Sequence, residues 1–102
     1  MTTETKQLKT VRKEMGITHK DFFGLLPALL DDTPYQQNQD IIKFQLNHKD
    51  IEIVLGPEGV RKLGQSVKLP TTPVTLHFFD FTEEEVGAFI KHFNLKFMKG
   101  GG

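Results

Sequence analysis

Residues 42–55 read IKFQLNHKDIEIVL, and apolar side chains largely alternate with polar ones on both sides of a short central link. A period of two is typical of strands that bury one face. The link NHKD is short enough to join two such strands as a hairpin. This stretch therefore predicts two antiparallel strands, and it is the part of the chain that sets the fold class.

Two more strands are predicted after this hairpin. Glycines and a proline at 56–59 mark a connection, and VRKLGQSVKL at 60–69 fits a third strand with Gly64 as a candidate bulge. The segment PTTP at 70–73 is typical of a turn. The fourth strand places three apolar residues at alternate positions: Val74, Leu76 and Phe78. Four consecutive strands predict an antiparallel meander.

The segment after the fourth strand has the signature of a helix N-terminus. Thr82 and Glu85 have the spacing of a capping box, and Phe81 and Val86 have that of a hydrophobic staple. Three successive glutamates suit the positive end of a helix dipole. Apolar residues then recur at helical spacing: Val86, Phe89, Ile90, Phe93 and Phe97. We expect a helix that packs this Phe-rich side on the sheet.

An earlier helix is predicted from Thr18, which can cap it with Asp21 three residues further on. Its apolar stripe comprises Phe22, Leu25, Leu26, Leu29 and Leu30. Pro27 should kink or tighten this helix, because proline lacks a donor and crowds the preceding turn. Residues 1–17 are polar and mildly basic, and they predict a flexible or marginally helical tail.

Together these elements predict an α+β fold with the order α-β-β-β-β-α. It is a two-layer sandwich in which an antiparallel meander carries both helices on one face. A single domain is expected to span residues 18–99, followed by a glycine tail at 100–102. The other face of the sheet is left open.

The composition restricts the function classes. Thirteen basic and thirteen acidic residues cancel, so no global field attracts a polyanion, and nucleic acid is disfavoured. Since the chain has no cysteine, disulfides, thiolate zinc sites and a cysteine nucleophile are excluded. No signal-peptide pattern or membrane-spanning apolar run occurs, so we expect a cytoplasmic protein without a membrane partner.

No metal or catalytic site is predicted. The four histidines, at 19, 48, 77 and 92, share no ligand spacing. The glutamates at 83–85 are accounted for by helix capping, and no calcium-loop pattern accompanies them or the aspartates at 31–32. Without a nucleophile–base pattern or a cofactor signature, we expect a protein that is not an enzyme and uses no cofactor.

Double-stranded RNA-binding domains also have the order helix, antiparallel meander, helix. In that family the second helix begins with a basic cluster that meets phosphates. Here the same helix begins with the acidic cluster Glu83, Glu84 and Glu85. Double-stranded RNA is therefore disfavoured as a partner.

The open sheet face supplies the binding hypothesis. Alternation assigns five candidate residues outward: Lys43, Val54, Lys68, His77 and Phe79. Their inward-facing neighbours are Phe44, Ile53, Leu69, Leu76 and Phe78. An exposed Phe79 beside Val54 would make a small apolar patch with a polar rim, which favours a protein as the partner. A single-stranded nucleic acid stacking on Phe79 is an alternative.

The chain ends in Gly100, Gly101 and Gly102. This ending resembles, in three residues, ubiquitin-like and sulfur-carrier proteins, whose terminal glycine is activated, so a glycine carrier is a further alternative. Those proteins place the tail after a strand of a ββαββ fold, whereas here it follows a helix. We therefore expect Gly100 to terminate the helix and the last two glycines to fray.

Overall fold

A computed structural model describes the backbone of residues 7–101 and the side chains of residues 7–97. It shows a six-stranded antiparallel sheet and two helices, which confirms the α+β class. The helices are α1 (His19–Leu30) and α2 (Glu83–Gly101). The strands are β1 (Leu8–Met15), β2 (Tyr35–Asn38), β3 (Ile41–Leu46), β4 (Lys49–Leu55), β5 (Gly59–Lys62) and β6 (Lys68–Phe79).

The sheet has the order β1-β6-β4-β3-β2, and β5 pairs with the first part of β6. β6 is twelve residues long and has neighbours on both sides. β1 lies along one side, whereas β4 and then β5 lie along the other. The predicted hairpin is confirmed as β3 and β4, joined by the two turn residues Asn47 and His48, both with positive φ.

The structure of the N-terminal segment differs from the prediction. Leu8–Met15 is a strand, not a flexible or marginally helical tail, and it pairs with β6 along its whole length. Its inward positions include Lys9 and Lys13, which are half-buried. Long lysine stems can cover apolar surface while the charge stays in water, so they conceal a period of two. Residues 1–6 of the predicted tail lie outside the described residues.

The prediction of a single third strand at residues 60–69 is also wrong. β5 and the start of β6 form a hairpin there, and Leu63 N–H donates to the Val67 carbonyl at 2.8 Å to close it. Gly64 lies in this turn with φ +140°, a conformation that favours glycine, and is not a bulge.

Pro70 and Pro73 lie inside β6, so the predicted turn at 70–73 is wrong. A strand tolerates proline where no neighbour needs its missing N–H. The Pro73 carbonyl accepts from Gly56 N–H at 2.7 Å, at the break between β4 and β5. Pro70 faces the opposite side, because backbone directions alternate. On that side β1 has already ended at Met15.

The core lies between the helices and one face of the sheet, as expected for a two-layer sandwich. Seven of the nine phenylalanines are buried: Phe22, Phe44, Phe78, Phe81, Phe89, Phe93 and Phe97. The ring of Phe89 on α2 lies 5.7 Å from that of Phe78 on β6. Phe22 on α1 stacks on Phe97 of α2 at 4.8 Å. Both helices therefore share one core.

The helix termini follow the predicted local chemistry except at the end of α2. Thr18 accepts from Asp21 N–H at 3.0 Å and caps α1. α1 ends at Leu30, and its C-cap residue Asp31 has a left-handed backbone. α2 continues through Gly100 to Gly101, so the prediction that Gly100 terminates the helix is wrong. Glycine can also adopt helical dihedrals, at a cost in entropy. Gly102 lies outside the described residues.

Candidate binding face

Four of the five predicted site residues lie on the open face of the sheet, opposite the helices. Directly opposed residues of antiparallel strands project from the same face. Lys43 on β3 and His77 on β6 both lie opposite Glu52 of β4. Val54 and Phe79 alternate with the buried residues of β4 and β6. The fold thus brings Lys43, Val54, His77 and Phe79 onto one surface.

A polar row crosses the middle of this face. The Thr10 hydroxyl lies 3.0 Å from Nδ1 of His77. Lys43 Nζ lies 3.6 Å from a carboxylate oxygen of Glu52, whose side chain is 25% exposed. The positive charge of Lys43 is therefore partly offset before any ligand arrives.

Two apolar areas flank the polar row. At one end Phe79, half-buried, lies opposite Leu8, which is 52% exposed. At the other end Val54 lies opposite Ile41. The expected patch of Phe79 beside Val54 does not form, because His77 and Glu52 separate them. Four residues of strand correspond to about 13 Å.

A groove of about 1000 Å³ opens beside Phe79. Its lining includes Tyr35, Gln36, Lys43, Gln45, Glu52 and Phe79. The ring of Phe79 and the amide groups of Gln36 and Gln45 are thus available together in one concave surface. β2, which contributes Tyr35 and Gln36, was missed because YQQN has one apolar residue and shows no periodicity.

Lys68 does not join the other four residues. It lies opposite Lys62 in the β5–β6 hairpin. Counting back from buried Thr72, alternation directs Lys68 to the helix side of the sheet. Leu69, predicted to face inward, is 42% exposed. Both assignments are wrong because this part of the strand has no core to face, so burial does not set its alternation.

Two histidines connect helices to neighbouring carbonyls. His19 Nε2 donates to the Gly56 carbonyl at 2.7 Å, and its Nδ1 lies 3.5 Å from an Asp40 carboxylate oxygen. His92 Nε2 lies 3.0 Å from the Leu29 carbonyl. Within the described part of the chain, no group of three or more His, Cys, Asp or Glu could hold a metal ion.

The acidic start of α2 has a structural use. Glu85 accepts from Thr82 N–H at 2.8 Å, and Thr82 accepts from Glu85 N–H at 3.1 Å, which confirms the capping box. Lys49 Nζ lies 2.7 Å from Glu85 and 5.7 Å from the Phe81 ring centroid. The hydrogen bond from Lys49, with that from Thr82, lowers the pKa of Glu85.

Across residues 7–101, neither helix combines the length and apolar character needed to cross a membrane. No protein-family model, curated protein or solved structure matches the chain.

Proposed function

We propose that the protein is a non-enzymatic interaction domain that binds another protein through the open face of its sheet. The observation that carries the proposal is the pair Phe79 and Leu8 beside the groove. Among the described residues, Phe79 is the one phenylalanine on this face. An aromatic anchor surrounded by polar groups is the usual composition of a binding hot spot.

The rest of the face suits a polar rim. Gln36 and Gln45 line the groove and offer amide donors and acceptors to a partner. The row of Thr10, His77 and Glu52 supplies further polar atoms next to Phe79. Such groups set orientation, whereas the buried aromatic contact contributes most of the affinity.

A protein partner is favoured over single-stranded nucleic acid, because the positive charge of Lys43 at the groove is already partly offset by a neighbouring carboxylate. Lys43 lies beside Glu52, which repels phosphate. Nucleic-acid binding needs several cations that neutralise phosphates, and it weakens steeply with salt. The glycine carrier gains no support, because α2 continues through Gly100 to Gly101. The cytoplasmic location remains a prediction of the sequence.

The test compares three forms of the protein as bait in a lysate of the native host. Wild type and the control Leu95→Ala, which alters an exposed apolar residue on α2, should capture the same partner. Phe79→Ala should lose at least about 1 kcal/mol of binding free energy, measured by calorimetry with the purified partner. Undiminished capture by Phe79→Ala would show that the open face is not the binding surface.

A further inference from the structure

The β5–β6 hairpin, residues 59–71, contains no buried residue, and we call it the arm. Of the seven large apolar residues that are exposed within residues 7–97, four lie in the arm: Val60 (67% exposed), Leu63 (53%), Val67 (51%) and Leu69 (42%). Apolar surface concentrated in one element is typical of an interaction site.

The arm is also strongly basic. It contains Arg61, Lys62 and Lys68, and no acidic residue occurs between 59 and 71. Arg61 reaches to within 4.0 Å of Glu14 on β1, but both side chains remain mostly exposed. The arm therefore carries a local positive charge on a chain whose formal net charge is zero.

The backbone of β5 can accept another strand. Within residues 7–101, β5 pairs with β6 alone, so its outer edge is unpaired. Leu63 N–H donates to the Val67 carbonyl, and hydrogen-bonded pairs alternate with non-hydrogen-bonded pairs along an antiparallel ladder. Val60 and Lys62 therefore direct their N–H and C=O groups away from β6, toward the free edge.

We propose that the outer edge of β5 binds an extended acidic segment of a partner protein as an additional strand. Main-chain hydrogen bonds to Val60 and Lys62 would supply the pairing, as in other cases of strand addition. A partner strand with an apolar residue opposite Val60 and acidic residues opposite Arg61 and Lys62 complements this edge in both polarity and charge.

The positive charge and the exposed apolar residues of the arm favour an acidic strand over two other occupants. A second copy of the arm paired with Arg61 opposite Arg61 would place like charges directly opposite each other, which is unfavourable across a strand pair. A phosphate backbone would use the cations but leave Val60, on the same edge, without an apolar partner. An acidic strand with one apolar residue pairs with Val60 as well as with Arg61 and Lys62.

The arm lies apart from the groove beside Phe79, so the two surfaces can be tested separately. The probe is a fluorescently labelled short peptide built of Val-Glu-Glu repeats, titrated into the full chain. A second peptide replaces every valine by proline, which keeps the charge but prevents strand pairing. Single-stranded oligothymidylate serves as the phosphate probe.

The decisive variant combines Arg61→Ser, Lys62→Ser and Lys68→Ser. Its matched control combines Lys20→Ser, Lys91→Ser and Lys96→Ser, three exposed cations outside the arm. We expect the arm variant to bind the peptide about tenfold more weakly, and the control to bind as wild type does. Val60→Pro, which removes one outward N–H and no hairpin bond, should also weaken binding.

Four results would overturn the proposal. The proline peptide could bind as tightly as the valine peptide, which would leave only general electrostatics. Oligothymidylate could bind more tightly than the peptide and depend on the arm, which would make the site a phosphate site. Sedimentation could show a dimer that the arm variant loses. Finally, the peptide could show no saturable binding up to about 1 mM. A defect of Phe79→Ala in partner capture is independent of all four.

Discussion

The two halves of β6 have the same kind of backbone pairing but different surroundings. In the second half, Val74, Leu76 and Phe78 are buried beneath the helices at every other position. In the first half, Lys68 and Leu69 pair with β5, and both are exposed. One continuous strand thus serves the core at one end and projects from it at the other.

The comparison teaches that pairing alone does not determine what a strand contributes. Backbone hydrogen bonds add little net stability, because the unfolded chain makes equivalent bonds to water. Apolar burial supplies most of the stabilising free energy, and only the second half has it. The first half is therefore available for binding, since its side chains are not committed to the core.

The largest expected effect comes from truncating the α2 phenylalanines that belong to the core over the buried half of β6. Phe93 on α2 is fully buried, and Phe89 is 6% exposed. Replacing either by Ala should lower the free energy of unfolding by about 3 to 5 kcal/mol, through lost transfer energy and a residual cavity. Denaturant melts measure this. Leu95→Ala on the exposed side of α2 is the control, and equal stability of all three variants would contradict the shared core.

The most direct comparison uses the same substitution in the two halves of β6. Leu76→Ala should cost about 2 to 5 kcal/mol, because Leu76 is 0% exposed. Leu69→Ala should change stability by less than about 0.5 kcal/mol, because its side chain is 42% exposed. Urea unfolding of both variants provides the measurement. Similar losses of unfolding free energy in both variants would mean that the arm is buried by a contact in solution.

Thr72 marks the junction between the halves. Its hydroxyl is buried and donates to the Ile17 carbonyl at 2.6 Å. Thr72→Val keeps the shape but leaves that carbonyl without its donor, so we expect a loss of about 1 to 3 kcal/mol. Thr75→Val, on the open face two rows from Phe79, should be nearly neutral. If the two variants unfolded at the same temperature, the stability of the junction would not depend on this hydrogen bond.

The smallest expected effect concerns the attachment of α2 to the β3–β4 turn. The Lys49 hydrogen bond holds the pKa of Glu85 below its ordinary value of 4.5. A lowered folded-state pKa stabilises the fold at pH values above 4.5, and this contribution disappears as the pH falls through the folded pKa. In Lys49→Met the pKa of Glu85, followed by carboxyl NMR, should move up toward 4.5. An unchanged midpoint would show that Thr82 alone perturbs it.

Several parts of the fold were readable in the sequence because their signals are local. The β3–β4 hairpin follows from the alternation of apolar and polar residues around a short polar link. The N-terminal caps at Thr18 and Thr82 follow from side-chain spacing, since each cap is made within one turn. The sequence also predicted the open face and four of its five candidate residues. These predictions succeeded because the alternation in β3, β4 and the second half of β6 is anchored by buried residues.

Elements without an anchored alternation could not be predicted. β1 places lysines at inward positions, and β2 has no apolar period, so neither pattern indicates a strand. In the arm, Leu63, Val67 and Leu69 resemble core residues in sequence, although they are exposed. The placement of Lys68 failed for this reason, whereas Phe79 was placed correctly beside buried Phe78.

By itself, the sequence determined the helices, their N-terminal caps, the central hairpin and the composition of the core. Each of these depends on contacts between residues close in the chain or on the total apolar content. The tertiary structure alone decided that Leu8–Met15 pairs with β6 and that β6 runs on past its core. Those outcomes depend on partners more than fifty residues apart and on where the helices stop covering the sheet. No local sequence pattern encodes either of these features.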